Sequence, residues 1–196
     1  VITAFERLFY DYGLPDYVRS DNGSPFASTR IGGLSQFSLW LLKRGVMPER
    51  IRPGKPQENG RHERFHRSLK AAVCKPPKGD LSAQQRAFNH YQFSYNNYRP
   101  HEALNDTPPA QHYTRSTRIY TGKEQEFHYP DHYVIRKVRS DGNMKWKQRP
   151  IYVANLLAGE YIGLEPIDDG CWMAYISTLK LGILDERQKR IIRPGQ

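Results

Sequence analysis

Two acidic residues stand at positions that suit metal-dependent chemistry. Asp21 follows a short strand-like run, residues 17–20, and precedes a turn signal, so it is predicted at the carboxyl end of a strand, where open α/β sheets place their sites. Glu63 lies in a basic stretch, residues 55–70, that begins with turn-forming residues and then becomes helical. Carboxylate oxygens suit Mg²⁺, and two divalent ions about 3.5–4 Å apart can activate a hydroxyl and stabilise the leaving oxygen at a phosphodiester. The pair could serve phosphoryl transfer if the fold brings a strand end and a helix together.

The helix predicted to end near Cys74 carries Glu63 on its polar side. Its apolar residues recur at helical spacing and form one stripe: Phe65, Leu69, Ala72 and Val73. At about 100° per residue, Glu63 lies about 200° from Phe65 and points away from that stripe. The residues at i−4, i+4 and i+7 share the face of Glu63; they are Asn59, Arg67 and Lys70. A solvated face with helix-stabilising charge pairs is the alternative explanation, so the helix alone does not establish a site.

Three motifs that follow one another along the chain resemble a known superfamily. They are Ser20-Asp21-Asn22-Gly23, then Pro56-Gln57-Glu58-Asn59-Gly60-Arg61-His62-Glu63-Arg64, and then Tyr95–Leu104 followed by Thr107-Pro108. Together they are similar to the DDE transposase and retroviral-type integrase superfamily, with a closer match to the integrase cores of bacterial insertion-sequence transposases. The resemblance covers residues 13–113. Each motif alone is weak, but the three in this order are specific.

The resemblance implies a metal-dependent recombinase site on an RNase H-like fold. It implies that Asp21 and Glu63 are catalytic and metal-binding, with Asp21 bridging two Mg²⁺ (or Mn²⁺) ions and Glu63 completing the second. The positions that match DNA-contacting residues of the helix are Asn59, Gly60, Arg61, Arg64, Arg67 and Lys70. Cations such as Arg67 and Lys70 would contact backbone phosphates and contribute salt-dependent affinity rather than sequence specificity.

The superfamily also needs a third acid, which lies on the opening strand of its sheet, well before the second acid. The acids that precede Asp21 are Glu6, Asp11 and Asp16, and none of them has a strand pattern around it. Asp16 and Glu58 are interpreted as surface charges. We therefore expect a partial core without the first strands and the first acid, from a fragment or a decayed gene, with little strand-transfer activity of its own.

The pattern of residues 1–113 predicts helices and strands in alternation, which is typical of an α/β core. Residues 1–12 form an amphipathic helix that ends at Gly13, and strands are predicted at residues 16–20 and 46–52. Between these strands, residues 35–44 form a helix with Ser35 as N-cap. Its predicted buried face consists of Phe37, Trp40 and Leu41.

A further helix is predicted from an N-cap at Ser82 to about Tyr98. An aromatic row runs along one side of it: Phe88, Tyr91, Tyr95 and Tyr98. Aromatic residues at helical spacing more often pack against a neighbouring element than stack on bases, so packing is the favoured interpretation.

The residue pattern of the chain changes after residue 113. Residues 114–126 are polar and without periodicity, and are predicted to be a linker. Residues 127–182 contain short β-type runs separated by Asp-Gly and similar turn signals, which predicts a small five-stranded barrel. The resemblance supports an SH3-like DNA-binding barrel there. Residues 183–196 are predicted to be a loose basic tail.

Composition favours a polyanionic partner. The net charge is +10 and the pI is about 9.6. Residues 50–126 hold 14 basic and 7 acidic residues, whereas residues 1–49 hold 5 of each, so the basic surplus centres on the Glu63 helix. The only cysteines, Cys74 and Cys171, are far apart, which argues against a structural zinc site and suits a reducing cytoplasm.

These observations and the resemblance lead to one function and two alternatives. We predict DNA transposition or integration on element ends and target DNA by a homo-oligomer, in the bacterial cytoplasm near the nucleoid, with no membrane partner. A non-catalytic DNA-binding remnant that regulates a full-length transposase is the first alternative, and an RNase H-like nuclease is the second. His62 and His66 could be acid–base groups, but phosphate contacts or plain surface positions explain them better.

Overall fold

The computed structural model of the chain describes residues 1–26, 28, 31–52 and 60–192, and all of their side chains except that of Arg61. Its contacts divide the chain into two compact units. The first unit consists of residues 1–50 and 118–196, and the second of residues 51–117. The prediction had instead divided the chain at residues 113 and 126.

The first unit opens with helices and strands in alternation. They are α1 (Ile2–Tyr12), β1 (Tyr17–Ser20), α2 (Gln36–Leu42) and β2 (Met47–Arg50). β1 and β2 pair in parallel, with Tyr17 opposite Met47 and Ser20 opposite Arg50. Ser35 caps α2 as predicted, because its hydroxyl accepts the Ser38 N–H while the Ser38 hydroxyl accepts the Ser35 N–H. The predicted α/β order is therefore confirmed in this segment.

Helix α2 is buried on two sides rather than one. Phe37 and Leu41 join a cluster that includes Phe9 of α1, and Trp40 is only half-buried against that cluster. On the other side of the helix, Leu39 and Leu42 join the apolar core of the C-terminal strands. The prediction of a single buried face of Phe37, Trp40 and Leu41 was thus incomplete, because a second layer packs on the face taken to be exposed.

Seven strands form the rest of the first unit. They are β3 (Val134–Lys137), β4 (Asn143–Trp146), β5 (Arg149–Tyr152), β6 (Tyr161–Asp168), β7 (Cys171–Ile176), β8 (Leu179–Asp185) and β9 (Arg190–Ile192). β3, β6, β7, β8 and β9 form an antiparallel sheet in that order, and β4 and β5 form a separate hairpin. Among the described residues these strands form no closed barrel, so the predicted SH3-like barrel is not confirmed, although a β-rich C-terminal region is.

The C-terminal end of the sheet differs from the predicted loose tail. Ile191 and Ile192 of β9 pair with Leu184 and Ile183 of β8, and Ile191 packs against the core. Two consecutive β-branched apolar residues therefore decide the structure here, although their neighbours are basic.

Residues 118–125, within the predicted linker, form no helix or strand but contact the N-terminal elements. Arg118 donates to the Pro15 carbonyl at 2.9 Å and forms an ion pair with Asp16 at 2.8 Å. Tyr120 is 6% exposed and lies in the apolar cluster with Phe9. These contacts account for the grouping of this segment with residues 1–50.

The second unit is built on two helices. α3 (Gly60–Leu69) continues into a π-helical turn, Lys70–Cys74, and α4 spans Leu81–Asn97. Asp80, not Ser82, caps α4, because its Oδ1 accepts the Ala83 N–H at 2.7 Å. No helix of the described chain is long and apolar enough to cross a membrane.

Aromatic packing joins the two helices of the second unit. The Phe65 ring lies 5.1 Å from that of Tyr95 and 6.3 Å from that of Tyr91. Packing is therefore confirmed for two members of the predicted aromatic row. Tyr98, however, is 70% exposed and contacts Phe93 instead.

The stripe of α3 also departs from the prediction. Val73 is buried, whereas Ala72 is exposed. A π-helical turn holds more residues than an α-helical turn, so it keeps Val73 in line with Leu69 and rotates Ala72 away.

Candidate functional site

Asp21 lies where the sequence placed it, directly after the last residue of β1. Its carboxylate is exposed, and Oδ1 accepts the Gly23 N–H at 2.9 Å. The Ser20 hydroxyl donates to the Asp21 carbonyl at 3.1 Å. The described residues give Oδ2 no hydrogen bond, so one carboxylate oxygen is held by the turn while the other is available to a ligand.

The strand pair beneath Asp21 is fixed by an ion pair across its register. Arg19 donates through Nε and Nη2 to the two carboxylate oxygens of Glu49, each at 2.9 Å. The two residues are register partners in β1 and β2. Because both side chains are exposed, this pair contributes less than about 1 kcal/mol, and its main effect is to orient the strand end.

Glu63 lies in the first turn of α3, and its carboxylate is exposed. It forms no ion pair or hydrogen bond with any residue that the structure describes. Phe65 is half-buried against α4, whereas Arg67 and Lys70 are exposed. This is the distribution that the helical rotation predicted: a carboxylate and two cations on the polar side, and aromatic packing on the other.

The remaining predicted DNA contacts are described in part. Gly60 begins α3, and among the described residues, apart from its chain neighbours and its own helix backbone, no atom lies within 4 Å of the position that a Cβ would occupy there. Arg64 is exposed. Asn59 lies outside the described residues, as does the side chain of Arg61, so both stay predictions.

A hollow of about 460 Å³ lies beside α3 and contains a cation that sequence reasoning did not single out. Arg64 and Arg99 both line it, and the Arg99 guanidinium lies 5.3 Å from the centre of the Tyr95 ring. The Nε2 atom of His101 is buried there without a hydrogen-bond partner in the described part of the chain. The signal that could have identified Arg99 was its place in the third motif, directly after the helix.

The predicted site residues are divided between the two compact units. Asp21 belongs to the first unit, and Glu63, Arg64, Arg67 and Lys70 belong to the second. No group of three or more His, Cys, Asp or Glu residues in the described ranges could hold a metal ion. Two exposed carboxylates with available oxygens have donor chemistry that fits Mg²⁺. A shared metal site for Asp21 and Glu63 stays a prediction.

Two of the three acids that precede Asp21 contact other residues of the first unit. Asp11 lies on α1, and Asp16 forms the ion pair with Arg118. The Tyr120 hydroxyl donates to Glu6 at 3.4 Å. None of the three lies on a strand, which agrees with their interpretation from the sequence.

Part of the chain matches a family of known proteins. Residues 44–109 match the family model of the integrase core domain. This segment contains Glu63 and the third motif, but not Asp21. An uncharacterised protein of Caenorhabditis elegans is 33% identical over 118 residues, which are 60% of this chain and 9% of that protein.

Two relatives come from bacterial insertion elements. The uncharacterised 39.2 kDa protein of insertion element IS476 from Xanthomonas euvesicatoria is 31% identical over 100 residues, which are 50% of this chain and 27% of that protein. The uncharacterised 31.7 kDa protein of insertion element IS407 from Burkholderia multivorans is 30% identical over 112 residues, which are 57% of this chain and 38% of that protein. The alignments thus span less than half of each relative.

Among solved structures, the chain is similar to one from the simian T-cell lymphotropic virus intasome in complex with PP2A regulatory subunit B56 gamma. The TM-score is 0.46 and the sequence identity is 19%, over 98% of this chain and 64% of that one.

Proposed function

We propose that this chain acts in DNA transposition or integration, since the family match and the insertion-element relatives confirm its place in the DDE transposase and retroviral-type integrase superfamily. The observation that carries the proposal is the polar side of α3. There Glu63 is exposed beside Arg67 and Lys70, within the segment that matches the integrase core. The opposite side of α3 packs on α4 through Phe65, so the helix has only one face to offer a substrate.

In the proposed reaction the oxygen of a hydroxyl bonds in line to a DNA phosphorus atom and gives its proton to water. The bond from phosphorus to the leaving oxygen breaks, and that oxygen leaves with the electron pair and takes up a proton from water. Asp21 and Glu63 would hold Mg²⁺ or Mn²⁺ through their carboxylate oxygens. When bound, the metal supplies Lewis-acid activation of the attacking oxygen and charge stabilisation of the leaving one. Arg67 and Lys70 contact backbone phosphates and position the DNA without reading its sequence.

A salt-dependence experiment tests the contact between α3 and DNA. We expect the double variant Arg67→Ala/Lys70→Ala to bind a fluorescent duplex more weakly, and its plot of log affinity against log salt concentration to be shallower by about 1.8, because each phosphate contact contributes about 0.9. The matched control is Arg7→Ala/Lys123→Ala, which removes the same charge from two exposed positions of the first unit. An equal change of slope in both double variants would contradict a DNA-facing α3.

The same duplex separates catalysis from binding. Asp21→Asn and Glu63→Gln should retain DNA binding and lose any cleavage or strand transfer in Mg²⁺ or Mn²⁺. We expect the unaltered chain to show little strand transfer alone, and robust turnover would contradict that expectation. If the unaltered chain binds the duplex but catalyses no reaction in either metal, the alternative of a non-catalytic DNA-binding regulator replaces the enzyme.

A further inference from the structure

A second chemical group on α3 takes no part in the proposed reaction. His62 and His66 lie one helical turn apart, and their Nε2 atoms are 2.8 Å from each other. The ring centres are 4.3 Å apart and the rings are inclined by 79°. Two imidazole nitrogen atoms, a common type of metal ligand, therefore lie side by side at the helix surface.

We propose that His62 and His66 form a chelating site for a late first-row transition-metal ion, separate from the magnesium carboxylates. Both imidazoles would bind through Nε2, with their protons on Nδ1. The hydrogen bond between the two rings requires one ring to carry its proton on Nε2. Metal binding therefore moves that proton to Nδ1 of the same ring, and the ring stays neutral.

The separation of the two nitrogens in the hydrogen-bonded pair is close to the separation that one metal ion would require. With metal–nitrogen bonds of about 2.0–2.1 Å, two ligands at a right angle lie about 2.9 Å apart, whereas two ligands at a tetrahedral angle lie about 3.3 Å apart. The observed 2.8 Å fits the right angle of square-planar or octahedral sites, which Cu²⁺ and Ni²⁺ prefer. Between these two ions, the general affinity order of divalent metals places Cu²⁺ first.

Aromatic packing between α3 and α4 holds the His66 side of the site in place. His66 is half-buried, and its ring lies 5.9 Å from that of Phe65 in an edge-on contact. Phe65 in turn packs on Tyr95 of α4, which fixes the rotation of α3. His62 is exposed, so water can fill the other coordination positions. With only two protein ligands, binding is expected to be reversible.

The charges beside the pair do not prevent binding. Arg64 and Arg67 repel a cation and Glu63 attracts it, and all three side chains are exposed. At physiological salt the Debye length is about 8 Å, which weakens these interactions between exposed charges. Direct coordination by two neutral imidazoles is not screened in this way.

The test uses the full chain after removal of metals by a chelator, titrated with CuCl₂ in 0.15 M NaCl. We expect calorimetry to show one tightly bound Cu²⁺ per chain, and electron paramagnetic resonance to show nitrogen ligands. In each of His62→Ala and His66→Ala, the affinity for Cu²⁺ should be at least tenfold weaker. Because an Ala variant could alter the helix, His62→Gln and His66→Gln provide a second pair that keeps a long polar side chain. Ni²⁺ should bind more weakly than Cu²⁺ at the same site, and Mg²⁺ should not compete.

The chain supplies a matched control. His128 and His132 have the same spacing of four residues and are exposed, but they lie outside any helix. The double variant His128→Ala/His132→Ala should therefore keep the tightly bound Cu²⁺. The proposal is overturned if His62→Gln and His66→Gln both keep it, or if the His128/His132 variant loses it. DNA binding enters neither result, so the copper site stands or fails independently of the proposed function.

Discussion

At Glu186 a single carboxylate holds two indole rings and a lysine. Oε1 accepts the Nε1–H groups of Trp146 and Trp172, each at 3.0 Å, and Oε2 pairs with the Lys147 ammonium at 2.7 Å. The two indole rings meet edge to face at 4.9 Å. Glu186 therefore connects the β4–β5 hairpin to the sheet, because one of its oxygens accepts hydrogen bonds from an indole of each.

We expect Glu186→Ala to lower the free energy of unfolding by about 1–3 kcal/mol, because the N–H of the buried Trp146 loses its acceptor. Glu186→Gln keeps an acceptor oxygen and should lose less than about 1 kcal/mol, the value of an exposed ion pair. Denaturant titrations followed by tryptophan fluorescence measure both. Equal losses in the two variants would show that the charge, and not the hydrogen bond, matters.

The same carboxylate predicts a pH dependence. The hydrogen bond from Lys147 is the largest cause that lowers the pKa of Glu186 below its usual value of 4.5, and the two indole N–H groups lower it further against the opposing effect of burial. A carboxyl whose pKa is lower in the folded state stabilises the fold fully above its unfolded pKa and loses that contribution as the pH falls through the folded pKa. The stability difference between the unaltered chain and Glu186→Gln should therefore be largest at pH 7 and shrink below pH 4.5.

Single residues were predictable where one local rule decides them. The rotation of about 100° per residue placed Glu63 opposite Phe65, and a capping rule identified Ser35. Glu186 could not be found in this way, because its partner Trp146 lies 40 residues away in the sequence. Arg99 lies in the third motif, but only the folded second unit shows that it lines the same hollow as Arg64.

At the scale of elements, the packing of α3 on α4 fixes which side of α3 is exposed to solvent. Phe65 is half-buried between the two helices, whereas Phe93 of α4 is 55% exposed. We expect Phe65→Ala to cost about 1.5–2.5 kcal/mol, roughly half the loss for a fully buried phenylalanine. The control Phe93→Ala should stay within about 1 kcal/mol.

Hydrogen exchange can locate the effect of this change. In Phe65→Ala the amides of α3 should lose protection together with those of α4, because the Phe65 ring joins the two helices through Tyr91 and Tyr95. Unchanged protection in α3 would mean that the helix is held by contacts other than the aromatic ones. The copper affinity proposed for His62 and His66 should fall in the same variant.

Elements were predictable wherever periodicity and turn signals agreed, as for α1, α2 and the strand before Asp21. The start of α4 was misassigned because Asp80 and Ser82 are both good N-cap residues, and periodicity does not distinguish a shift of two positions at a helix start. β9 was missed because the residues around its two isoleucines are basic, and its pairing with β8 depends on apolar contacts across the sheet.

At the scale of the whole molecule, the described contacts join the first fifty residues to the C-terminal strands. Leu42 of α2 is 4% exposed and lies in one apolar cluster with residues of β6 and β7. We expect Leu42→Ala to destabilise the first unit by about 2–4 kcal/mol. Amides of α2 and of β6 should lose exchange protection by the same amount, because they share a core.

The control for this variant is Leu81→Ala, since Leu81 is 89% exposed. It should leave protection unchanged in both places. If Leu42→Ala affects α2 alone, then the sheet is stable without the N-terminal elements, as the sequence-based division into a core and a separate barrel supposed. That division could not be tested by periodicity, because α2 residues and sheet residues that share a core are more than 90 positions apart.

The edge of β1 is expected to influence assembly. The strand pairs only with β2 in the described part of the sheet, and Tyr17 is 64% exposed. An uncovered strand edge is a template for pairing with another chain, so we expect concentration-dependent self-association. Sedimentation velocity over a wide concentration range measures it, and a monomer at every concentration would count against this expectation.

The π-helical turn at Lys70–Cys74 has a consequence for how this sequence is compared with others. Such a turn accommodates one residue more than an α-helical turn, so the chain behaves here as if it carried a single-residue insertion. A homologue with an uninterrupted helix would align correctly with Glu63 and yet be displaced by one position at Val73. Placing a one-residue gap after Leu69 would restore the correspondence of buried positions on both sides of it.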